Sequence, residues 1–293
     1  MVSVLIVLGG GVVRVTASGL GCPTWPACDA TSLAPTPELG IHGIIEFTNR
    51  MLTGLLVVAV GWAIVAARLQ KPRNRGITRL AWSQFWLVVA NAVAGGISVL
   101  AKLNPWVVAL HFMLAIALLT TTTLTWHRAR QLRVAPPSPG RAASVLSWAL
   151  VGCTLALIVV GTLVTGSGPH SGDSADVPRM GFVWADVTIF HAVLGSLTLV
   201  IAIALFVVLS RDPNGRLARR RVGFFAIVVV LQGAIGTIQA LNGLPAVLVA
   251  LHLLGAALVW IGALRVLLDT NPTLFRGRAP VTEELPVNTL AAS

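Results

Sequence analysis

His42-Gly-Ile-Ile-Glu-Phe-Thr-Asn-Arg50 opens an apolar run that continues to Ala67, which is long enough to cross a bilayer. On a helix, His42, Glu46 and Asn49 fall on one face. Ionisable side chains inside an apolar segment are costly and usually functional. Three further histidines lie a turn or two inside other apolar runs: His111, His191 and His252. The stretch therefore predicts a membrane helix that carries part of a functional site.

The composition is that of a membrane protein. Of the 293 residues, 56% are hydrophobic and 11% are charged, a balance far from that of a soluble domain. The first apolar run is short, so either Met1 is not the true start or the first helix is stunted. No cleavable signal peptide is visible. Eight runs predict eight transmembrane helices, at roughly 2–16, 42–67, 79–101, 105–127, 144–166, 186–210, 219–240 and 245–268.

The basic residues determine the predicted orientation. A net charge of +11 could indicate a nucleic-acid partner, but we expect none because Lys and Arg fall in short loops between apolar runs. The positive-inside rule then places both termini in the cytoplasm, and the loops 17–41 and 167–185 outside. All but four of the 21 Lys and Arg residues lie on the cytoplasmic side; the four are Arg14, Arg50, Lys102 and Arg179.

The two halves of the chain resemble each other. Val-Ala-Leu-His at 108–111 recurs at 249–252, and at the same spacing Asn91 matches Gln232 and Gly95 matches Gly236. Val-Thr-Ala-Ser-Gly at 15–19 also resembles Val-Thr-Gly-Ser-Gly at 164–168. Because each half holds four runs, the copies would share one orientation about an axis along the membrane normal. The alternative is a chance similarity of helices rich in Leu, Val and Ala.

The predicted fold is therefore an all-α integral membrane protein of two parallel four-helix repeats. A polar, Pro-containing end predicts a disordered tail. The predicted parts are an N-terminal half at 1–128, a cytoplasmic linker at 129–143, a C-terminal half at 144–268 and a cytoplasmic tail at 269–293.

Histidines at one depth indicate a haem site in the second half. His191 lies five residues past Asp186 and His252 seven past Pro245, which places both roughly 8–10 Å below the outer surface. Parallel helices with imidazoles at one depth can hold a haem iron from both faces. The pair therefore predicts a bis-histidine haem site. The alternative is that each histidine hydrogen-bonds a neighbouring helix.

The first half offers a different set of side chains. His111 lies at the same depth as the other two histidines, but the second run offers Glu46, Asn49 and Arg50 instead of a single imidazole. A carboxylate near a haem edge can position water or accept a proton, so this half predicts a site of chemistry. The alternative is a structural ion pair of Glu46 with Arg50 or Arg14.

The remaining cysteines and histidines carry weaker signals. Cys22 and Cys28 lie six positions apart in an outer loop, where oxidising conditions favour a disulfide and the spacing argues against zinc or thioredoxin chemistry. We expect Cys153 to be a small packing residue. His127 is expected to be solvated at the cytoplasmic end of the fourth run, and His170 to serve the outer loop rather than to bind a metal.

Val13 to Cys28, Ile45 to Arg50 and the single histidines of later runs resemble the haem A synthase family over about residues 9–268. The resemblance implies an eight-helix oxidoreductase that oxidises the C8 methyl of haem O to a formyl group. The product, haem A, serves cytochrome oxidase. Molecular oxygen would be the oxidant, through two successive oxygenations of one methyl and loss of water from the gem-diol.

The resemblance also implies roles for individual residues. His191 and His252 would hold a haem b cofactor, His111 would ligate the substrate haem, and Glu46 would be the essential carboxylate. Many members have His where this chain has Asn49. We therefore expect His111 to be the sole protein ligand of the substrate haem; the alternative is that His42 is the second ligand, although seven helical residues separate it from Asn49 by about 10 Å. Arg14 and Arg50 are expected near that haem together with Asn49. The outer-loop cysteine pair recurs in part of the family, and the second outer loop lacks the pair that some members carry.

The resemblance implies a location in the bacterial cytoplasmic membrane. The implied partners are a haem O synthase that supplies the substrate and an unidentified electron donor, and homo-oligomerisation is left open. Two rival functions remain at this point. One is a non-catalytic di-haem electron-transfer protein, which has no need of Glu46. The other is a repeat transporter without haem, whose histidines relay protons.

Overall fold

The computed structural model describes residues 2–130, 138–170, 172–173, 177–272 and 274. Regular structure in these residues is helical, apart from one β-bridge between Ser18 and Asp173. The predicted all-α class is therefore confirmed. Met1, much of the predicted linker 129–143 and most of the predicted disordered tail 269–293 lie outside the described residues. The α-helices are α1 (Val2–Val15), α2 (Gly40–Leu69), α3 (Arg75–Leu100), α4 (Pro105–Arg130), α5 (Arg141–Ser167), α6 (Trp184–Ser210), α7 (Arg216–Leu241) and α8 (Ala246–Thr270).

Seven of these helices, α2 to α8, are long and apolar enough to cross a membrane. The chain is thus a multi-pass membrane protein. Helix α1 has 14 residues and is about 21 Å long, less than the about 30 Å of a bilayer's hydrocarbon core. The prediction of eight full spans therefore holds for seven helices, and the described part of α1 is a shorter apolar helix.

Several helices begin before the apolar runs that predicted them. Helix α3 begins at Arg75 because the side chain of Asn74 accepts hydrogen bonds from two backbone N–H groups of the first turn, which caps the helix. Helices α5 and α7 begin at Arg141 and Arg216. A first turn tolerates polar residues, whereas hydropathy marks only the apolar centre of a span.

Each half of the chain closes into a ring of four helices. Helix α1 packs on α2, α2 on α3, α3 on α4 and α4 on α1, and α5 to α8 repeat this order of contacts. Within the described residues, α2 and α4 do not pack on each other, and neither do α6 and α8. Each of these pairs therefore lies on a diagonal of its ring, where side chains from both helices can point to the ring centre.

The two rings join where α1 and α4 pack on α8 and where α4 packs on α5. A hydrogen bond from Trp260 Nε1 to Thr120 Oγ1 at 2.9 Å crosses the junction. In lipid, close packing and interhelical hydrogen bonds stabilise such contacts, because lipid tails remove the hydrophobic driving force. The buried side chains of the junction include Val7, Ile116, Leu119, Ile158, Ala257 and Leu264.

The two outer loops also contact each other. The backbone N–H of Gly19 donates to the carbonyl of Gly172 at 2.7 Å, and the N–H of Leu20 donates to the Asp173 carboxylate at 3.2 Å. The first loop has its own turn at Asp29, whose pKa is lowered by hydrogen bonds from the backbone and the hydroxyl of the nearby Thr31. These contacts hold the loops of the two halves together at one end of the bundle.

Candidate functional site

His191 on α6 and His252 on α8 meet across the diagonal of the second ring. Their ring centroids lie 6.2 Å apart and their planes make an angle of 65°. Two metal–imidazole bonds of about 2 Å, together with about 1 Å from each nitrogen to its ring centre, add up to about 6 Å. The separation of the two imidazoles therefore fits one iron atom between them.

The ring nitrogens of the three membrane histidines differ in their surroundings. In His111, His191 and His252, Nδ1 is enclosed by protein and has no hydrogen-bond partner of full geometry. The Nε2 atoms are not enclosed in this way, so each ring presents Nε2 to open space. Within the described residues, no group of three or more His, Cys, Asp or Glu could hold a bare metal ion. Two facing imidazoles are a donor set that haem iron uses.

The first ring places His111 and an amide side chain on the two helices of its diagonal. His111 lies on α4, and the opposite helix α2 carries Asn49, whose Oδ1 is enclosed without a hydrogen-bond partner. Asn49 packs against Gly9 of α1, and the His111 ring packs against Gly95 of α3. An amide oxygen is a much poorer ligand for haem iron than an imidazole nitrogen. The two rings thus carry different groups on the helices of their diagonals.

Glu46 is buried one turn from Asn49, with 5% of its surface exposed. Its Oε1 lies 2.6 Å from Nη2 of Arg50, and its Oε2 accepts a hydrogen bond from the backbone N–H of Cys22 at 2.6 Å. The ion pair with Arg50, which the sequence left as the structural alternative, is therefore present. A carboxylate has about four lone-pair sites, so these two contacts leave acceptor capacity on both oxygens.

Arg50 links α2 to the first outer loop. Besides Glu46, its guanidinium donates to the carbonyl oxygens of Cys22, Thr24 and Ala27 at 3.0–3.1 Å. The loop is closed by the predicted disulfide between Cys22 and Cys28, and both cysteines are fully buried. The loop, the disulfide and the Glu46 carboxylate therefore form one connected unit.

Arg14 makes contacts in the other half of the chain. Its Nε donates to the carbonyl of His170 and its Nη2 to the carbonyl of Thr165, both at 2.8 Å. The alternative ion pair of Arg14 with Glu46 is therefore not formed. Arg14 instead ties the end of α1 to the outer loop of the second half, and its expected place near the substrate haem stays a prediction.

The other histidines have polar partners or structural surroundings. His42 Nδ1 lies 3.0 Å from Ser18 Oγ, and His170 Nε2 lies 2.7 Å from the carbonyl oxygen of Leu244, which fits the expected loop role. The expected solvation of His127 is wrong for Nε2, which is enclosed without a partner. The reason is that α4 continues past His127 and its last turns face α8, where the Arg265 guanidinium lies 4.7 Å from a Trp126 ring centroid.

The free Cys153 packs between α5 and α6, with its Sγ 3.3 Å from Thr198 Oγ1. This agrees with the expectation of a small packing residue. No role was predicted for the glycines that face the histidines. The matches of Gly95 with Gly236 and of Asn91 with Gln232 between the halves were the available signal.

The fold and site together define a multi-pass helical membrane protein with two imidazoles facing each other inside a four-helix ring. A family model described as COX15-CtaA, cytochrome oxidase assembly protein, matches residues 1–264. The chain therefore belongs to this family.

Individual relatives match over shorter stretches. The protein named Heme A synthase of Symbiobacterium thermophilum is 33% identical over 181 residues, which cover 57% of this chain and 56% of the relative. The Heme A synthase of Lysinibacillus sphaericus is 35% identical over 112 residues, 37% of this chain and 35% of the relative. The matched stretches thus span from about a third to just over half of these relatives.

Proposed function

We propose that the chain is a haem A synthase, an oxidoreductase that converts the C8 methyl of haem O to a formyl group. The observation that carries the proposal is the pair of imidazoles, His191 and His252, at 6.2 Å across the second ring. Membership of a family of cytochrome oxidase assembly proteins and relatives named Heme A synthase support the same activity.

Each half has its own task in this proposal. His191 and His252 hold haem b, which when bound supplies a one-electron redox centre. His111 holds the substrate haem O in the first half. Haem O is oxygenated twice at one methyl, and the resulting gem-diol loses water to give the formyl group. Each oxygenation consumes one O₂, two electrons and two protons and releases one water. An electron donor of unidentified nature must therefore supply the enzyme, and a haem O synthase must supply the substrate.

Glu46 accepts a proton or a hydrogen bond at the substrate, and Arg50 holds the Glu46 carboxylate in position. Arg50 and the Cys22 N–H fix the Glu46 carboxylate from one side, and the remaining lone pairs accept a hydrogen bond from water or a proton. Because Arg50 also binds three loop carbonyls, the carboxylate is held in one orientation. A fixed acceptor of this kind costs little reorganisation during the reaction.

The conversion itself tests the proposal. Purified protein in detergent is mixed with haem O, O₂ and a chemical reductant, and the extracted pigment is analysed by mass spectrometry. Haem A is expected to form with this protein and not with heat-denatured protein. Failure to form haem A, in a preparation that binds haem O and whose bound haem b is reduced, would reject the activity.

The di-haem electron-transfer protein stays a second candidate because both Glu46 oxygens are engaged in structural contacts. In that function the carboxylate only holds α2 to the loop, and both haems are permanent and of one type. The same conversion assay separates the candidates, since an electron carrier leaves haem O unchanged.

We also propose that the protein lies in the bacterial cytoplasmic membrane with both termini in the cytoplasm, and that the two halves are parallel repeats. The uneven distribution of basic residues supports this orientation. A reporter that is active only outside the cytoplasm, fused after Leu268, should stay silent, whereas the same reporter fused after Pro169 in the second outer loop should be active. An active fusion after Leu268 would show that the number of spans is wrong.

A further inference from the structure

Each membrane histidine rests on a glycine of the preceding helix. A Cβ placed on Gly95 would lie 3.2 Å from Cε1 of His111, one on Gly161 would lie 3.1 Å from Cε1 of His191, and one on Gly236 would lie 3.3 Å from Cε1 of His252. The three contacts join α3 to α4, α5 to α6 and α7 to α8. The same packing thus occurs three times, and in each case only the absence of a side chain lets the ring lie against the helix backbone.

A backbone carbonyl lies near each of the three imidazole rings, and the enclosed Nδ1 atoms have no hydrogen-bond partner in this structure. The carbonyls belong to Asn91, Leu157 and Gln232. Each of them stands four residues before the glycine of its helix. A helical side chain covers the turn on the N-terminal side of its own Cα, so a side chain at the glycine would cover this carbonyl. A carbonyl oxygen bonded within a helix keeps a second lone pair, and the glycine leaves it accessible.

A histidine that binds a metal through Nε2 needs a hydrogen-bond acceptor at Nδ1. A metal bound at Nε2 leaves Nδ1 protonated, and ligating histidines almost always donate that second N–H to a carboxylate or a backbone carbonyl. The donated hydrogen bond fixes the tautomer and the rotation of the ring, and it raises the basicity of the ligating nitrogen. No carboxylate is within hydrogen-bond distance of any of the three Nδ1 atoms in the described residues.

We infer that Gly95, Gly161 and Gly236 are positioning residues for the haem ligands. Each glycine leaves the carbonyl four residues earlier accessible, so that in the haem-bound protein the facing imidazole donates from Nδ1 to it and presents Nε2 to the iron. The sequence match of Gly95 with Gly236 reflects this repeated contact. The inference rests on the proposed function, and it assigns a role to residues that are not haem ligands.

The second half offers the test with matched controls. Gly161→Ala and Gly236→Ala each add one methyl against a ligand ring. Gly152→Ala and Gly233→Ala add the same methyl to the same two helices, α5 and α7, where it meets nothing within 4 Å. All four changes favour the helix to a similar degree. A difference between the pairs therefore reports the contact with the histidine.

The measurements are haem b retention during dilution of the purified holoprotein and the low-spin electron paramagnetic resonance signal. We expect Gly161→Ala and Gly236→Ala to retain haem about 10- to 100-fold more weakly and to shift the low-spin signal. Gly152→Ala and Gly233→Ala should match the parent protein in both measurements. The folded state of every variant is checked by gel filtration in detergent.

Each outcome bears on the inference. If the parent protein retains haem b and all four variants behave alike, the glycines do not position the ligands. If Gly161→Ala and Gly236→Ala both fail to fold while the controls fold, the inference is also overturned, because a contact that needs a few tenths of an ångström should not unfold the bundle. A parent protein without haem would reject the proposed function itself, and the inference with it.

Discussion

The two halves of the chain build the same ring of four helices and place different groups at its centre. In the second ring, His191 and His252 face each other at 6.2 Å. In the first ring, His111 has Asn49 on the opposite helix, and Glu46 lies one turn away. The second ring thus offers two imidazoles and the first ring one. In the proposed function, the pair of imidazoles suits a permanent cofactor, and the single imidazole suits a haem that must enter and leave.

The outer loops of the two halves also make different contacts. The first loop is closed by the Cys22–Cys28 disulfide and holds Glu46 through the Cys22 N–H and through Arg50. The described part of the second loop instead receives Arg14 from the first half at its His170 carbonyl. The first loop is therefore part of a site, and the second loop supports the contact between halves. Substitutions in either ring test this difference between the two halves.

The largest effect is expected in the second ring. His191→Ala or His252→Ala removes one of two axial nitrogens, so the low-spin haem b signal should be lost almost completely in the visible and paramagnetic resonance spectra. His170→Ala, which removes a ring that contacts a loop carbonyl, is the control and should keep the signal. An unchanged spectrum in both ligand variants would place the haem elsewhere.

A smaller but still large effect is expected at the carboxylate of the first ring. Glu46→Ala should keep both haems and lower haem A formation by about 100-fold or more, the usual contribution of a general acid or base. The fold should survive because Arg50 keeps three loop carbonyls as acceptors. Glu38→Ala, a change of an exposed carboxylate just before α2, is the matched control. A normal product yield from Glu46→Ala would leave the residue with a structural role only.

The smallest effect is expected from a substitution that makes the first ring resemble the second. Asn49→His should add a second imidazole and shift the substrate haem from high spin toward low spin in the visible spectrum. Combined with Asn49→His, Gly9→Ala should weaken this shift, since a Cβ there would lie 2.5 Å from the present Asn49 Oδ1. Gly10→Ala, whose Cβ meets nothing within 4 Å, should not weaken it.

The alternative ligand in the first ring is His42. Its Nδ1 lies 3.0 Å from Ser18 Oγ, at the end of α2 nearest the outer loop, so we expect His42→Ala to leave the spin state of the substrate haem unchanged. A change from low spin to high spin in this variant would identify His42 as the second ligand, in contradiction to an open Asn49 side.

The sequence predicted the features that follow from local pattern. Apolar runs gave every helix, with errors of a few residues where polar first turns such as that at Arg75 belong to the helix. Equal depth paired His191 with His252, and the short spacing paired Cys22 with Cys28. In each case the signal is a position along a helix or a short separation in the chain.

The contacts that the sequence did not predict join distant segments without a periodic signal. Arg14 could pair with Glu46 by position, but its donors reach the carbonyls of Thr165 and His170, and backbone carbonyls have no signature in a sequence. The role of Gly161 was hidden for the same reason, because what matters there is an uncovered carbonyl and a missing Cβ. His127 was expected to be solvated because the extension of α4 beyond it could not be predicted from hydropathy.

The identity of the haems in each half is the decisive test of whether the chain divides into a cofactor half and a substrate half. Pigment extracted from the purified parent protein should contain haem B together with haem O or haem A. His111→Ala should lose the O and A pigments and keep haem B, and His191→Ala should lose haem B and keep a fraction of the others. A parent protein that contains haem B alone, at two per chain, or that loses both pigments equally in each variant, would contradict the division into a cofactor half and a substrate half.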